Sequence, residues 1–213
     1  AERLAVEALL QSTGRLPVNV KFFFEGQEEI GSPDLPPFVE ANADLLRADM
    51  IFSADGLQWA PDQPQLVEAL KGLVSLEIVV RAARSDLHSG LHGGGIANPA
   101  MVLAQLLATL KAQDGLITVQ GFYDDVLTLS EDARAAIART PFDEASYLAS
   151  TGAPALFGEP GYSTRERLWA RPTLDVNGLT SGWQGAGTKT VLPAEARAKI
   201  TCRLVAAQSP ERI

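Results

Sequence analysis

The spacing of apolar residues divides the chain into two regimes. Residues 1–12 place Leu4, Val6, Leu9 and Leu10 at near-helical intervals, and Arg15-Leu16-Pro17 breaks that pattern before the run Val18 to Phe24, which predicts a strand. After Ser32-Pro33-Asp34 the pattern predicts a helix to Leu46, with Phe38, Val39, Leu45 and Leu46 inward, then a short strand, Met50-Ile51-Phe52. Strand, helix, strand is the signature of an α/β unit with a parallel or mixed sheet, whose binding crevice lies on the loops leaving the strand ends. Glu28, Glu29 and Asp55 fall on those loops.

A second regime begins near Gly72. Leu73 to Ala82 is rich in β-branched residues and predicts a strand in a sheet with one face covered. A glycine-rich loop follows, then Asn98 and Pro99 open a helix predicted to reach Lys111, with Val102, Leu103, Leu106, Leu107 and Leu110 on one face and Gly115 beyond its end. Short helices are predicted over 130–140 and 143–149, a turn at 158–161, and strands at 172–176 and 196–205. This α+β layout places the expected domain boundary at residues 71 and 72, separating an α/β portion (1–71) from an α+β portion (72–213). No internal repeat is visible.

Composition narrows the functional classes. The 213 residues are 46% apolar and carry a formal charge of −8, so a globular core is feasible and a nucleic-acid footprint is not expected. Residues 1–70 hold twelve Asp/Glu against four Lys/Arg, and residues 71–213 hold fourteen of each, so the whole imbalance sits in the first third. A solvated acidic surface or a cation site would both explain it. One cysteine, Cys202, excludes an internal disulfide framework and a thiolate metal cage, and reads as a buried, inert residue. No window has 18 uninterrupted apolar residues and the N-terminus lacks a cleavable apolar run, so the expectation is a cytoplasmic protein without a membrane partner.

Adjacent carboxylates after a strand and a glycine turn, as in Glu25-Gly26-Gln27-Glu28-Glu29, suit metal-assisted hydrolysis. One can ligate a cation while its neighbour takes the proton of the attacking water. Other constellations are weaker. His88 and His92 are four apart, but Gly90, Gly93, Gly94 and Gly95 argue against a helix that would make them a local zinc pair. Asp86, His88 and Ser89 have the residue types of a hydrolytic triad without a GxSxG elbow. Gly182 to Thr190 is reminiscent of a phosphate loop, but Thr188 separates Gly187 from Lys189 and no helix pattern follows before Pro193.

Five segments in order, EGQEEIGSP (25–33), SADG (53–56), DLHSGLHGG (86–94), GTKTVLP (187–193) and CRLV (202–205), resemble the M20 metallopeptidases, and within them the dipeptidases related to carnosine dipeptidase. The resemblance implies a hydrolase with two divalent metal ions, usually zinc and sometimes manganese, in an α/β catalytic domain, and a smaller α+β lid domain that makes a homodimer. By position, Glu28 would be the general base, Glu29 and Asp55 metal ligands, and His88 an oxyanion stabiliser reaching the partner's site. Arg203 would bind the carboxylate of a dipeptide substrate, with Thr190 assisting. Arg203 could equally flank a sheet edge. The upstream His-x-Asp segment, the following bridging Asp and the late His that complete such a metal site are absent, and Ala206-Ala207 stands where the family often has a proline. The expectation is therefore a fragment, inactive alone, of a metallodipeptidase; a noncatalytic lid module and an N-acyl-amino-acid amidohydrolase are the alternatives.

Overall fold

Helix α1 (Glu2–Thr13) stops at Gly14, whose φ of 71° carries its N–H back to the Leu10 carbonyl at 2.9 Å. The structure is a computed structural model that describes residues 2–53, 56, 62, 65, 67 and 69–213, in two units, 1–68 and 69–213.

In the first unit the predicted helix after Asp34 forms as two pieces, α2 (Leu35–Ala41) and α3 (Ala43–Leu46). Asn42 separates them at φ −120° and ψ 22°, and its side-chain amide donates to Phe38 O at 2.8 Å, a local bond that competes with helix continuation. Residues 18–24 and 50–52 are not in strands, and the described residues of this unit form no parallel or mixed sheet. A strand needs a neighbour to take its N–H and C=O groups, and no described segment pairs with either run. The phenylalanines nevertheless alternate: Phe22 and Phe24 stack with centroids 5.9 Å apart, while Phe23 stacks on Phe38 of α2 at 5.6 Å. Lys21 Nζ donates to Leu45 O and Arg47 O, at 2.6 and 2.8 Å, and so ties this run to the end of α3.

The second unit runs β1 (Gly72–Arg81), β2 (Leu87–His88), α4 (Ser89–His92), α5 (Pro99–Ala108), α6 (Glu131–Arg139), α7 (Glu144–Thr151), α8 (Thr164–Ala170), β3 (Thr173–Ser181), β4 (Val191–Leu192) and β5 (Glu195–Leu204). An antiparallel sheet of order β1-β5-β3 carries the core, and β2 pairs separately with β4. Register explains the covered face. Val74, Cys202 and Leu174 align across the sheet, as do Ile78 and Ala198, and α5 packs Leu103 and Leu107 over that side. Cys202 is 1% exposed there, and burial pushes its thiol up from its ordinary value.

Polar residues occupy the other face, where Arg197 bridges Glu77 and Glu195 at 3.0 and 2.8 Å. Asn177 marks a bulge in β3, between Val176 and Gly178. Helix α5 opens as its residues predict, with Asn98 Oδ1 accepting from Ala100 N–H at 2.9 Å, but ends at Ala108 rather than Lys111. Beyond it the backbone is diverted into a tight return, in which Thr118 N–H takes Leu110 O and Ala112 N–H takes Leu116 O. Gly115 is required at that return: its φ is 93° and a Cβ would lie 2.8 Å from Gly158 Cα.

Charged groups hold residues 121–171 together. Arg171 makes a bidentate pair with Glu159, at 2.8 and 2.6 Å, and its guanidinium lies 4.3 Å from the Tyr162 ring centroid. Arg165 donates to the carbonyls of Thr140 and Pro141 and lies over the rings of Phe142 and Trp169. Ser163 and Glu166 form a capping box on α8, and Arg134 Nε donates to Glu166 at 2.7 Å. Burial alone would raise the Glu166 carboxyl, but the bonds from Ser163 and Arg134 outweigh it and hold the group below 4.5. A carboxyl lowered on folding stabilises fully above its unfolded value and loses that contribution as the pH falls through its folded value. Glu166→Gln is therefore expected to be less stable near neutrality and to lose less stability on acidification below 4.5, read from urea midpoints across the acid range.

Candidate functional site

The glutamate turn is closed by its own backbone. A 3-10 turn over Glu28–Ile30 is bounded by Gln27 and by Gly31 at φ 85°; Ile30 and Ser32 N–H both reach Gln27 O, at 3.0 and 2.9 Å. Gln27 is braced further, its N–H donating to Glu25 Oε1 at 2.6 Å and its side-chain amide to Asp34 Oδ2 at 2.9 Å. Glu28 and Glu29 therefore leave a fixed loop from successive positions, and both are exposed. Asp55, the other expected metal ligand, lies outside the described residues.

His88 is the last residue of β2 and the cap of the single turn α4. The glycines argue against a helix here, and that expectation is corrected for one turn only. Gly90 lies inside α4, Gly93 N–H closes the turn on Ser89 O at 2.8 Å, and the His88 ring accepts from Gly90 N–H, which offsets the glycine cost. The pairing of β2 with β4, together with Ser89 N–H donating to Thr190 O at 3.1 Å, sets the ring beside Thr190, and Nε2 lies 3.3 Å from Thr190 Oγ1. Thus the structure brings together two predicted residues that are 102 positions apart.

Asp86 Oδ1 instead accepts from Ala194 N–H at 2.9 Å, fastening the 86–88 segment to the turn between β4 and β5, so among the described residues Asp86 is engaged there and not in a Ser-His-Asp relay. Sequence reasoning did not find Gly90 as the partner of His88. A His followed two residues later by a glycine that opens a turn is the signal that could have found it.

Arg203 sits on β5 between Leu73 and Thr173, on the face away from Cys202 and Leu204, and is exposed. Lys71 lies near enough to feel its charge. Burial, with Arg203 adding and Asp175 opposing, lowers Lys71 to about 8. Its ammonium is already engaged, donating to Arg171 O at 2.6 Å and Arg167 O at 3.2 Å, which leaves Arg203 as the guanidinium fork on this part of the sheet.

The loop 182–190 does not cradle phosphate in the manner of a nucleotide site. No helix follows it; it leads into β4, Trp183 Nε1 donates to Ala186 O at 3.1 Å, and Lys189 Nζ lies over the Trp183 ring. Among the described residues no three His, Cys, Asp or Glu side chains come together to hold a metal ion, so Glu28 and Glu29 do not by themselves fit a divalent-metal centre. No helix among them is long and apolar enough to cross a membrane.

Known proteins match both units. The chain is 32% identical over 203 residues to the human Beta-Ala-His dipeptidase, covering 94% of this chain and 40% of that protein. It is 29% identical over 212 residues to the Cys-Gly metallodipeptidase of Schizosaccharomyces pombe, covering 98% of this chain and 44% of that one. Among solved structures it superposes on the M20 family metallo-carboxypeptidase of Sulfolobus solfataricus with a TM-score of 0.83 at 35% identity, over 99% of this chain and 48% of that one. The chain thus spans less than half the length of the relatives it matches. Residues 69–213 match the peptidase dimerisation domain of the M20 proteins, and the chain belongs to the M20 peptidase family.

Proposed function

We propose that these residues are part of a metal-dependent dipeptidase, with residues 1–71 contributing to its catalytic domain and residues 72–213 forming most of a lid that pairs two protomers. The observation carrying this reading is that relatives named as dipeptidases align along nearly the whole chain, so the glutamate turn and the lid come together in one order. In this reading Glu28 accepts the proton of the attacking water, and the N–H of His88 from one protomer donates to the oxygen of the carbonyl under attack in the other. Arg203, with Thr190, receives the free carboxylate of the substrate, for which its exposed guanidinium fork is suited. Glu29 and Asp55 would be among the residues holding the divalent ions, zinc or manganese, with further ligands from the rest of the protein, and those ions would activate the attacking water. A cytoplasmic location accords with one buried cysteine.

The 213-residue chain and the longer gene product, each with added Mn²⁺ or Zn²⁺, separate the readings. Xaa-Xaa dipeptides are expected to be hydrolysed by the longer protein only, and amidation of the substrate's C-terminus is expected to raise KM about tenfold or more through the lost charge pair. Hydrolysis by the 213-residue chain would refute its expected inactivity. No dipeptide hydrolysis by the longer protein with either metal would overturn the assignment.

A further inference from the structure

We propose that Gly90 fixes His88 as a neutral imidazole with its proton on Nε2, making Gly90 a positioning residue for the group assigned to the carbonyl oxygen. The catalytic consequence rests on the function proposed above; the tautomer does not. Gly90 N–H donates to His88 Nδ1 at 3.1 Å. A backbone N–H has only a proton to offer, so Nδ1 must present its lone pair, and a neutral ring then carries its hydrogen on Nε2. That nitrogen faces Thr190 Oγ1 at 3.3 Å, a hydroxyl oxygen able to accept. The ring is therefore bonded at one nitrogen by the main chain and faces, at the other, a side chain just before the paired strand.

Gly90 is needed here for room. A Cβ at position 90 would stand 2.9 Å from His88 Cε1 and 3.1 Å from Nδ1, too close for the ring to stay where it accepts from the N–H. Alanine must turn the imidazole away and release the tautomer. The role this gives His88 is that of a neutral donor, exchanging a long contact with Thr190 for a shorter one with an oxygen that gains negative charge. It leaves the proton bookkeeping of the reaction to Glu28. A base at His88 would need an unprotonated Nε2, which the Gly90 bond disfavours.

The test has two arms. In the 213-residue chain labelled with ¹⁵N-histidine, only two rings report, and His92→Gln assigns them. Long-range ¹H–¹⁵N correlations above neutral pH are expected to show His88 Nδ1 unprotonated and Nε2 protonated; an Nδ1–H ring or an even mixture would overturn the proposal. Gly90→Ala is expected to move His88 toward a mixture, and an unchanged pattern in the folded variant would overturn the steric argument. In the longer enzyme Gly90→Ala is expected to lower kcat about tenfold or more with little change in KM, the mark of an interaction made in the transition state. Unaltered kcat alongside a confirmed wild-type tautomer would remove the catalytic role of His88 and leave the lock standing.

Discussion

Glu28→Gln in the longer enzyme is expected to lower kcat by roughly a hundredfold to ten-thousandfold while bound metal stays nearly unchanged. Glutamine keeps the volume and the acceptor oxygen but cannot take a proton. The backbone bonds that close the turn on Gln27, and the Gly31 conformation, do not involve the Glu28 side chain, so Glu29 should keep its place. Glu29→Gln should show the opposite pattern, with metal content falling along with activity. Equal loss of metal in both variants would reassign Glu28 from base to ligand, and retained turnover in Glu28→Gln would remove it from the chemistry. Steady-state rates together with elemental analysis of the purified variants make the distinction.

Arg171→Met is expected to destabilise the second unit by about 3 kcal/mol or more, the scale of breaking a buried ion pair from one side. Arg171 and Glu159 have side chains only 8% and 12% exposed, so Glu159 would be left charged and poorly solvated. Burial alone would make the guanidinium easier to deprotonate, but the Glu159 carboxylate outweighs that and holds its charge more firmly. The same side chain covers the ring of Tyr162, so that contact is lost with the ion pair, whereas the main-chain carbonyl of residue 171 remains to receive Lys71. A melting point lower by roughly 10 °C should follow for a domain of this size. Replacing both partners with apolar residues should recover much of it, because no uncompensated charge remains. A single variant as stable as the parent would mean that water reaches Glu159 freely.

Much of the second unit was legible in its residues because its signals are local. Asn98 and Pro99 announced α5, and the alternation through Ala196, Ala198, Ile200, Cys202 and Leu204 announced the covered face of β5. Elements that depend on distant partners were less so. Phe22, Phe23 and Phe24 have strand-like alternation, yet no described segment accepts their backbone, and periodicity says nothing about a neighbour. Asn42 divides a helix through one side-chain bond that an apolar pattern does not register, and α4 forms despite its glycine because the cap comes from a histidine ring. Of the candidate site, the paired glutamates stood out by chemistry alone. The proximity of His88 to Thr190 is set by a two-residue ladder between remote segments, which neither periodicity nor the resemblance anticipated.

Cys202 lies mid-sheet, with Val74 on one side and Leu174 on the other. As the sole sulfhydryl of the chain, it turns that position into a clock: a thiol reagent must wait until the strands part, and its labelling rate counts those partings.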